Sequence, residues 1–526
     1  MPDLHKPSAS QLALAISAIL AGSAIDAAVI SVTNTANSGE GSLRWAVQQA
    51  NSNDDPDNVI VFDAAINGLT IFLDGRLQVT KTLLITGNGM NQTVINANGL
   101  DSVFQIYSQA DRVELQQLSL LDGASYFGYG GAISASSREL VLQDVRISDS
   151  TSYQGGAIHH APFESDSLLE IVRSEIIDNT VYGAYYGNSG GGIHAVIVGE
   201  NSQVRIADSQ ILRNCAYIGG GLSVITGGSG FVAGQGTHIE YSDISDNTCA
   251  RRGGGIHVDA TTTHLLTITA STLEGNSATF GAGIHANAGV YVNYSLITGN
   301  LANQAGGGAY LLLDDAPLAS NGRVFNHSTI SGNFSFQAAP GILLVTTPSA
   351  QVPHELALRH STVAFNNANT GTPWLQQGAG VTNATPWAMD IDHSIVTDNR
   401  ILPLFVPGVD LGFRDLEGSF DARWSLLGFR SPATTVSEGA GVQNVVSAAL
   451  SSLADNGGNT RTHKLQPDSP ARDAGDPDYE PPPGLNVDQR FDSPFVRVFN
   501  DRVDIGAFES QIDMVFASSF GNYQQQ

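Results

Sequence analysis

Cysteine is almost missing from this chain: Cys215 and Cys249 are the only two in 526 residues. That excludes a disulfide-framework protein. Lysine occurs only at Lys6, Lys81 and Lys464, and 24 basic side chains face 50 acidic ones, for a formal net charge of −26. No polybasic patch can form, so nucleic acid is not an expected partner, because phosphate contacts dominate such binding. Beyond the first 28 residues no apolar run approaches the ~18–20 residues of a membrane span. Charged residues are scarce too, at 14%, yet 42% of the chain is apolar, too much for a disordered acidic protein. The 57 glycines have no three-residue period, which removes collagen. Length alone, at about 100–200 residues per domain, would suggest three or four domains. Many Gly, few charges and abundant Ser, Thr and Asn point instead to a repeated, turn-rich β architecture.

The N-terminus speaks to compartment. His5 and Lys6 precede an apolar run from Leu12 to Ala24 and then small residues, the layout of a secretory signal peptide over 1–28. A buried first helix is the alternative. The expectation is an exported protein, secreted or at the cell surface, without a transmembrane span and monomeric.

A phrase then recurs from about 119 to 400. One half is Ser-x-(Ile/Leu/Val)-x-x-Asn, as in SEIIDN (174–179), SQILRN (209–214), STLEGN (271–276) and SIVTDN (394–399). The other half is a Gly cluster before an apolar residue, as in GGAI (155–158), GGGI (190–193) and GGGL (219–222). Copies lie 24 to 39 residues apart. The intervening segments are short, alternate in polarity and favour Ile, Val and Thr, which suits strands. Each unit can close one turn of a coil whose strands stack in parallel at about 4.8 Å. The spacing predicts an all-β, right-handed parallel β-helix. A β-propeller would want a steadier period of roughly 40–50 residues. Asn179, Asn214, Asn247, Asn276, Asn300, Asn333, Asn366 and Asn399 form a structural column, expected to tolerate left-handed backbone and to bond from coil to coil. The Gly cluster would serve a second tight corner.

Both ends of such a coil need covering. GSLRWAVQQAN (41–51) spaces Leu43, Ala46, Val47 and Ala50 as one helical face behind a Ser42 N-cap, which suits a short capping helix. NVIVF (58–62), LTIFLDG (69–75), LLITGNG (83–89) and TVINANG (93–99) follow as the first strands. These residues resemble the CSLREA-type N-terminal region of exported bacterial β-helix proteins, with Gly41 and Trp45 in place of that family's Cys and Glu. The GGAI copies resemble repeats of polymorphic outer-membrane proteins. NGGNTRTHKLQPDSPARDAG (456–475), VDQR (487–490) and VDIGAFE (503–509) resemble a choice-of-anchor Q domain. The resemblance implies an exported, surface-associated β-helix, usually without assigned activity. The resulting division is a signal peptide at 1–28, N-terminal cap and first coils at 29–118, and repeats at 119–400. An anchor-Q-like domain at 401–510 would close the rod, followed by a tail at 511–526.

Four sets of residues could carry chemistry. The first is the column after each Gly corner, where strand alternation turns His159, His194, His257 and His285 outward. Neighbouring imidazoles about 5 Å apart could share a transition metal. Without a carboxylate or Cys column, a solvated polar ladder is the competing reading. The second is the loop before each corner, which carries Tyr126, Tyr129, Tyr153, Tyr182, Tyr185, Tyr186, Tyr217 and Phe280, with Arg251 and Arg252 in the same place. Stacked coils could align these into an aromatic strip suited to sugar rings, or the rings could simply shield backbone.

The third is catalytic. A polysaccharide lyase or glycoside hydrolase acting on an acidic polysaccharide would need Arg and carboxylates together. Arg146, Arg173, Arg205 and Arg213 lie among the strands, with Asp149, Asp178 and Asp314–Asp315 near turns. No concentrated signature accompanies them, so no catalytic residue is assigned, and the acidic surface opposes an acidic substrate unless Ca²⁺ bridges it. The acidic turn DDPD (54–57) could take Ca²⁺ but lacks a spaced cation loop; no other cofactor is implied. The fourth is the cysteine pair. Cys215 and Cys249 each stand four residues before the first Gly of their corner, at Gly219 and Gly253, so equivalent places on adjacent coils would allow a disulfide, with stacked free thiols in a loop as the alternative. The functional expectation is an adhesin-like or glycan-binding module, with a surface protein as the other partner class.

Overall fold

The computed structural model describes residues 28–183, 187–227, 235–260, 264–313, 322–346, 355–370, 378–403, 412–482, 486–491, 495–499 and 501–511. Residues 1–27 of the expected signal segment and 512–526 of the tail lie outside them, as do Tyr185, Tyr186 and Asp314–Asp315.

Successive coils pair in parallel on three sides. One coil shows the plan. Ile158–His160 lies on the glycine-side sheet, Leu168–Val172 and Glu175–Ile177 form two legs of a bent sheet, and Thr180–Val181 lies on a third sheet. The Gly corner 190–192 then leads to Ile193–Val198, which pairs with Ile158–His160. The glycine-side sheet runs from Leu77–Val79 to Leu416–Arg423. Among the described residues the third sheet has ten strands, from Ala124–Tyr129 to Arg400–Pro403. The parallel β-helix read from the repeats is the observed architecture.

The period-2 pattern explains the core. On the inner face Ile133, Ile158, Ile193 and Leu222 stack in register and are fully buried. So do Ile176, Ile211, Ile244 and Leu273 on the second leg. Branched side chains suit this repeated, pleated surface. The third sheet turns small residues inward, Ala278 over Ala302 and Ala302 over Ser335.

Two polar columns fill the corners. Asn Nδ2 donates to the Oδ1 of the next coil's Asn at 2.8–3.1 Å from Asn179 through Asn399. Each Asn amide N–H donates to the same oxygen. The column ends on the Asp415 carboxylate, which accepts from Asn399 at 2.9 and 2.8 Å and from the Phe429 amide at 2.7 Å. The second column is the Ser of the same phrase. The amide of each Ser donates to the hydroxyl of the next, from Ser174 to Ser425, at 3.1 Å. The left-handed backbone expected of the Asn belongs to its predecessor, for example Asp178 (φ 59°), Arg213 (54°) and Asp246 (56°). The Asn can then point inward while the chain turns one residue earlier.

The three corner glycines have separate reasons. Gly253 has φ 69°. A Cβ on Gly254 would sit 2.6 Å from the Ala282 carbonyl oxygen, and one on Gly255 3.1 Å from the Asn276 side chain.

At the front, α1 (Leu43–Ser52) buries Leu43, Ala46, Val47 and Ala50 against the first coils, and the Ser42 hydroxyl accepts from the Trp45 amide at 3.2 Å. At the other end the coil continues past 403, through Leu416–Arg423 and Leu426–Leu427 to Gln443–Asn444. The segment after it does not simply close the rod. It folds back along the bent sheet: His463 Nε2 meets Ser331 Oγ at 2.7 Å, the Ala507 amide donates to Thr362 Oγ1 at 3.1 Å, and Gln489 Nε2 donates to the Ser295 carbonyl at 3.3 Å.

Candidate functional site

The His column stands where the register put it. His159 pairs with His194 and His257 with His285, with ring centroids 5.3 and 5.1 Å apart. It is not a solvated ladder, however: all four rings are buried. The first Gly of the corner packs against them: a Cβ on Gly253 or Gly281 would lie 2.8 Å from the Cβ of His257 or His285, and Ser189 Oγ meets His194 Nδ1 at 2.9 Å. Burial lowers the imidazoles, His159 to about 4 and His257 to about 3, so they are neutral at pH 7. Among the described residues no group of three or more His, Cys, Asp or Glu is arranged to hold a metal.

The aromatic strip is partly redrawn. Bulges shift the third sheet, so Gln154 pairs with Tyr129, Ile218 with Arg252 and Arg252 with Phe280. Tyr153 and Tyr217 each fall one position away from that row. Tyr129 stacks on His159 at 4.5 Å, and Phe280 meets Tyr310, which stacks on His285 at 5.2 Å. Strip and His column, separate in the sequence reading, are therefore layers of one stack.

The same bulge breaks the expected disulfide. Cys215 pairs with Thr248, and Cys249 pairs with Ala216. Counting back from the glycines misses one residue between Cys249 and Arg252. The two side chains consequently alternate to opposite faces. Cys249 joins the small inward row beside Ala278, while Cys215 stands half-buried on the outward one, and both are free thiols.

A groove opens where the third sheet has not yet begun. That sheet starts at Ala124, whereas the glycine-side sheet starts at Leu77. Above Gln105, Ser134 and His159, which are in register, lies an open groove of about 690 Å³. Tyr126, Phe127 and Tyr129 wall it on one side and Phe163 joins the lining. Phe127 is fully exposed and Phe163 is 75% exposed. The floor is polar. Arg76 pairs with Asp101 at 2.7 Å and donates to Gln105 Oε1 at 3.4 Å. Burial raises the Asp101 carboxyl, but hydrogen bonds from Arg76 and the Ser102 amide outweigh it and hold the group below its ordinary value. Of the sequence-derived strip, only Tyr126 and Tyr129 line this groove. Phe127, Phe163, Arg76 and Gln105 were not anticipated, because the late start of the third sheet leaves no mark in any repeat.

The arginines considered for catalysis are mostly engaged. Arg146 pairs with Glu175 at 2.6 Å, Arg173 with Asp144 at 2.9 Å and Arg213 with Asp178 at 2.8 Å. Arg205 differs: its Nε donates to Gln203 Oε1 at 2.8 Å, and among the described residues no carboxylate pairs with it. A second ring column, with no counterpart in the sequence reading, stands one residue before the Ser ladder. Tyr294, His327, His360 and His393 stack at 4.7–4.9 Å under the returning C-terminal segment, where Tyr479 and Phe491 touch them. No described helix is long and apolar enough to cross a membrane. No family model and no curated protein matches the chain.

Proposed function

We propose that this chain is an exported parallel β-helix, secreted or surface-associated, that acts as an adhesin-like binding module for a glycan. The observation that supports this reading is the groove at the N-terminal coils. Exposed Phe127, Tyr126 and Phe163 offer apolar faces beside a satisfied, net-neutral polar floor of Arg76, Asp101 and Gln105. Sugar rings need that pairing of flat apolar contact with adjacent hydrogen-bonding groups. Exposed aromatic patches of this kind are disfavoured on a protein surface unless something covers them. The signal-like N-terminus and the anchor-Q-like motifs support export and surface attachment.

The test is a glycan array probed with the full chain and with Phe127→Ala/Phe163→Ala. Binding to a glycan class that falls at least tenfold in the double variant supports the reading. Equal binding by both proteins removes the groove as its site.

A further inference from the structure

The outer face of the first leg of the bent sheet carries a second polar surface. Parallel register sets Glu170, Arg205, His238, Thr267 and Tyr291 in one row, each on the next coil. Such a row advances by about 4.8 Å per coil. An open groove of about 440 Å³ lies over its first members, bordered by Gln203 and Glu240.

Arg205 is the unusual member. The neighbouring arginines of the bent sheet close on a carboxylate of the adjoining coil, Arg146 on Glu175, Arg173 on Asp144 and Arg213 on Asp178. Glu170 stands directly opposite Arg205 in register, yet the guanidinium turns instead to Gln203 Oε1 within its own strand. Its two terminal nitrogens meet no acceptor among the described residues and face solvent. On a chain with 50 acidic groups this is a held, unpaired cation. Beside it, a Cβ on Gly236 would come 2.9 Å from His238 Nε2. Glycine inside a strand marks a close approach, and here it gives the imidazole room to lie flat against the backbone. Burial, and then Arg205, lower the His238 imidazole, so the ring offers a neutral donor and acceptor.

The geometry points to a carboxylate-binding subsite at Arg205, for a uronate residue of an acidic saccharide, separate from the aromatic groove. The carboxylate would take the two free nitrogens of the guanidinium fork, a geometry Arg matches bidentately. The sugar hydroxyls would donate to Glu170 and Glu240 and bond His238, which explains acidic side chains around an anion site: they meet hydroxyls, not the carboxylate. Repulsion from the −26 chain is screened beyond about 8 Å at physiological salt, so contact pairing decides.

The experiment is calorimetric titration of the full chain with oligogalacturonate at physiological salt, with the carboxyl-reduced oligomer as control. Wild-type protein is expected to bind the acidic oligomer and not the reduced one. Arg205→Gln should weaken binding by about tenfold or more, and His238→Gln by less. Phe127→Ala should leave it unchanged, which separates this subsite from the proposed glycan groove. Unchanged thermal midpoints show that the exposed Arg205 change leaves the coil intact. No binding by wild type, equal binding of the reduced oligomer, or full binding by Arg205→Gln each overturns the proposal.

Discussion

Asn276 bonds on three coils at once. It donates to the Ile244 carbonyl at 2.8 Å and to Asn300 Oδ1 at 3.0 Å, and accepts from the Asn247 amide at 3.0 Å. Asn276→Ala would strip partners from buried groups on both sides, so unfolding should lose about 3 kcal/mol, read as a fall in the denaturant midpoint. Asp415 shows why the column can end: as its last member it needs only to accept. The Asn column was legible because one residue type recurs at one place. The Ser ladder stands in the same phrase but was not assigned, since Ser is common in turns. The cysteine pairing was misread because a one-residue bulge inverts side-chain direction without changing local composition. Denatured, unreduced protein should therefore titrate two thiols; none would restore the disulfide.

At the scale of the corner, glycines that look alike differ in cost. Gly254→Ala drives a methyl against the Ala282 carbonyl at 2.6 Å, with Ser277 backbone equally near. Gly299 turns at φ 64° with no atom closer than 3.8 Å. Gly299→Ala should cost about 1–2 kcal/mol through backbone strain alone. Gly254→Ala should cost more, because backbone on the adjacent coil must move, and paired denaturation curves rank the two. The capping helix α1 was readable from its apolar spacing and N-cap. The groove was not, because it arises from where a sheet begins and no local pattern encodes that.

For the whole molecule, two buried sets oppose each other in pH. His257 and His285 are lowered by burial, so the stability tied to their neutral forms is present above pH 6.5 and is lost as pH falls below it. Glu509 runs the other way: burial raises it from 4.5 to about 9, so its contribution is present below 4.5 and is lost as pH climbs towards 9. Thermal midpoints should therefore trace a dome. Glu509→Gln should flatten its alkaline limb and leave the acid limb in place.

The C-terminal segment that lies along the bent sheet also imposes an order in time. Chains are made from the N-terminus, and each coil can add to the one before it. The rings of Tyr294, His327, His360 and His393, by contrast, wait for Tyr479 and Phe491. At typical synthesis rates that wait is on the order of ten seconds. During it a nearly complete rod displays an uncovered aromatic seam. A chain stopped after residue 444 would keep that seam indefinitely, and should bind a hydrophobic dye and self-associate where the full chain does not.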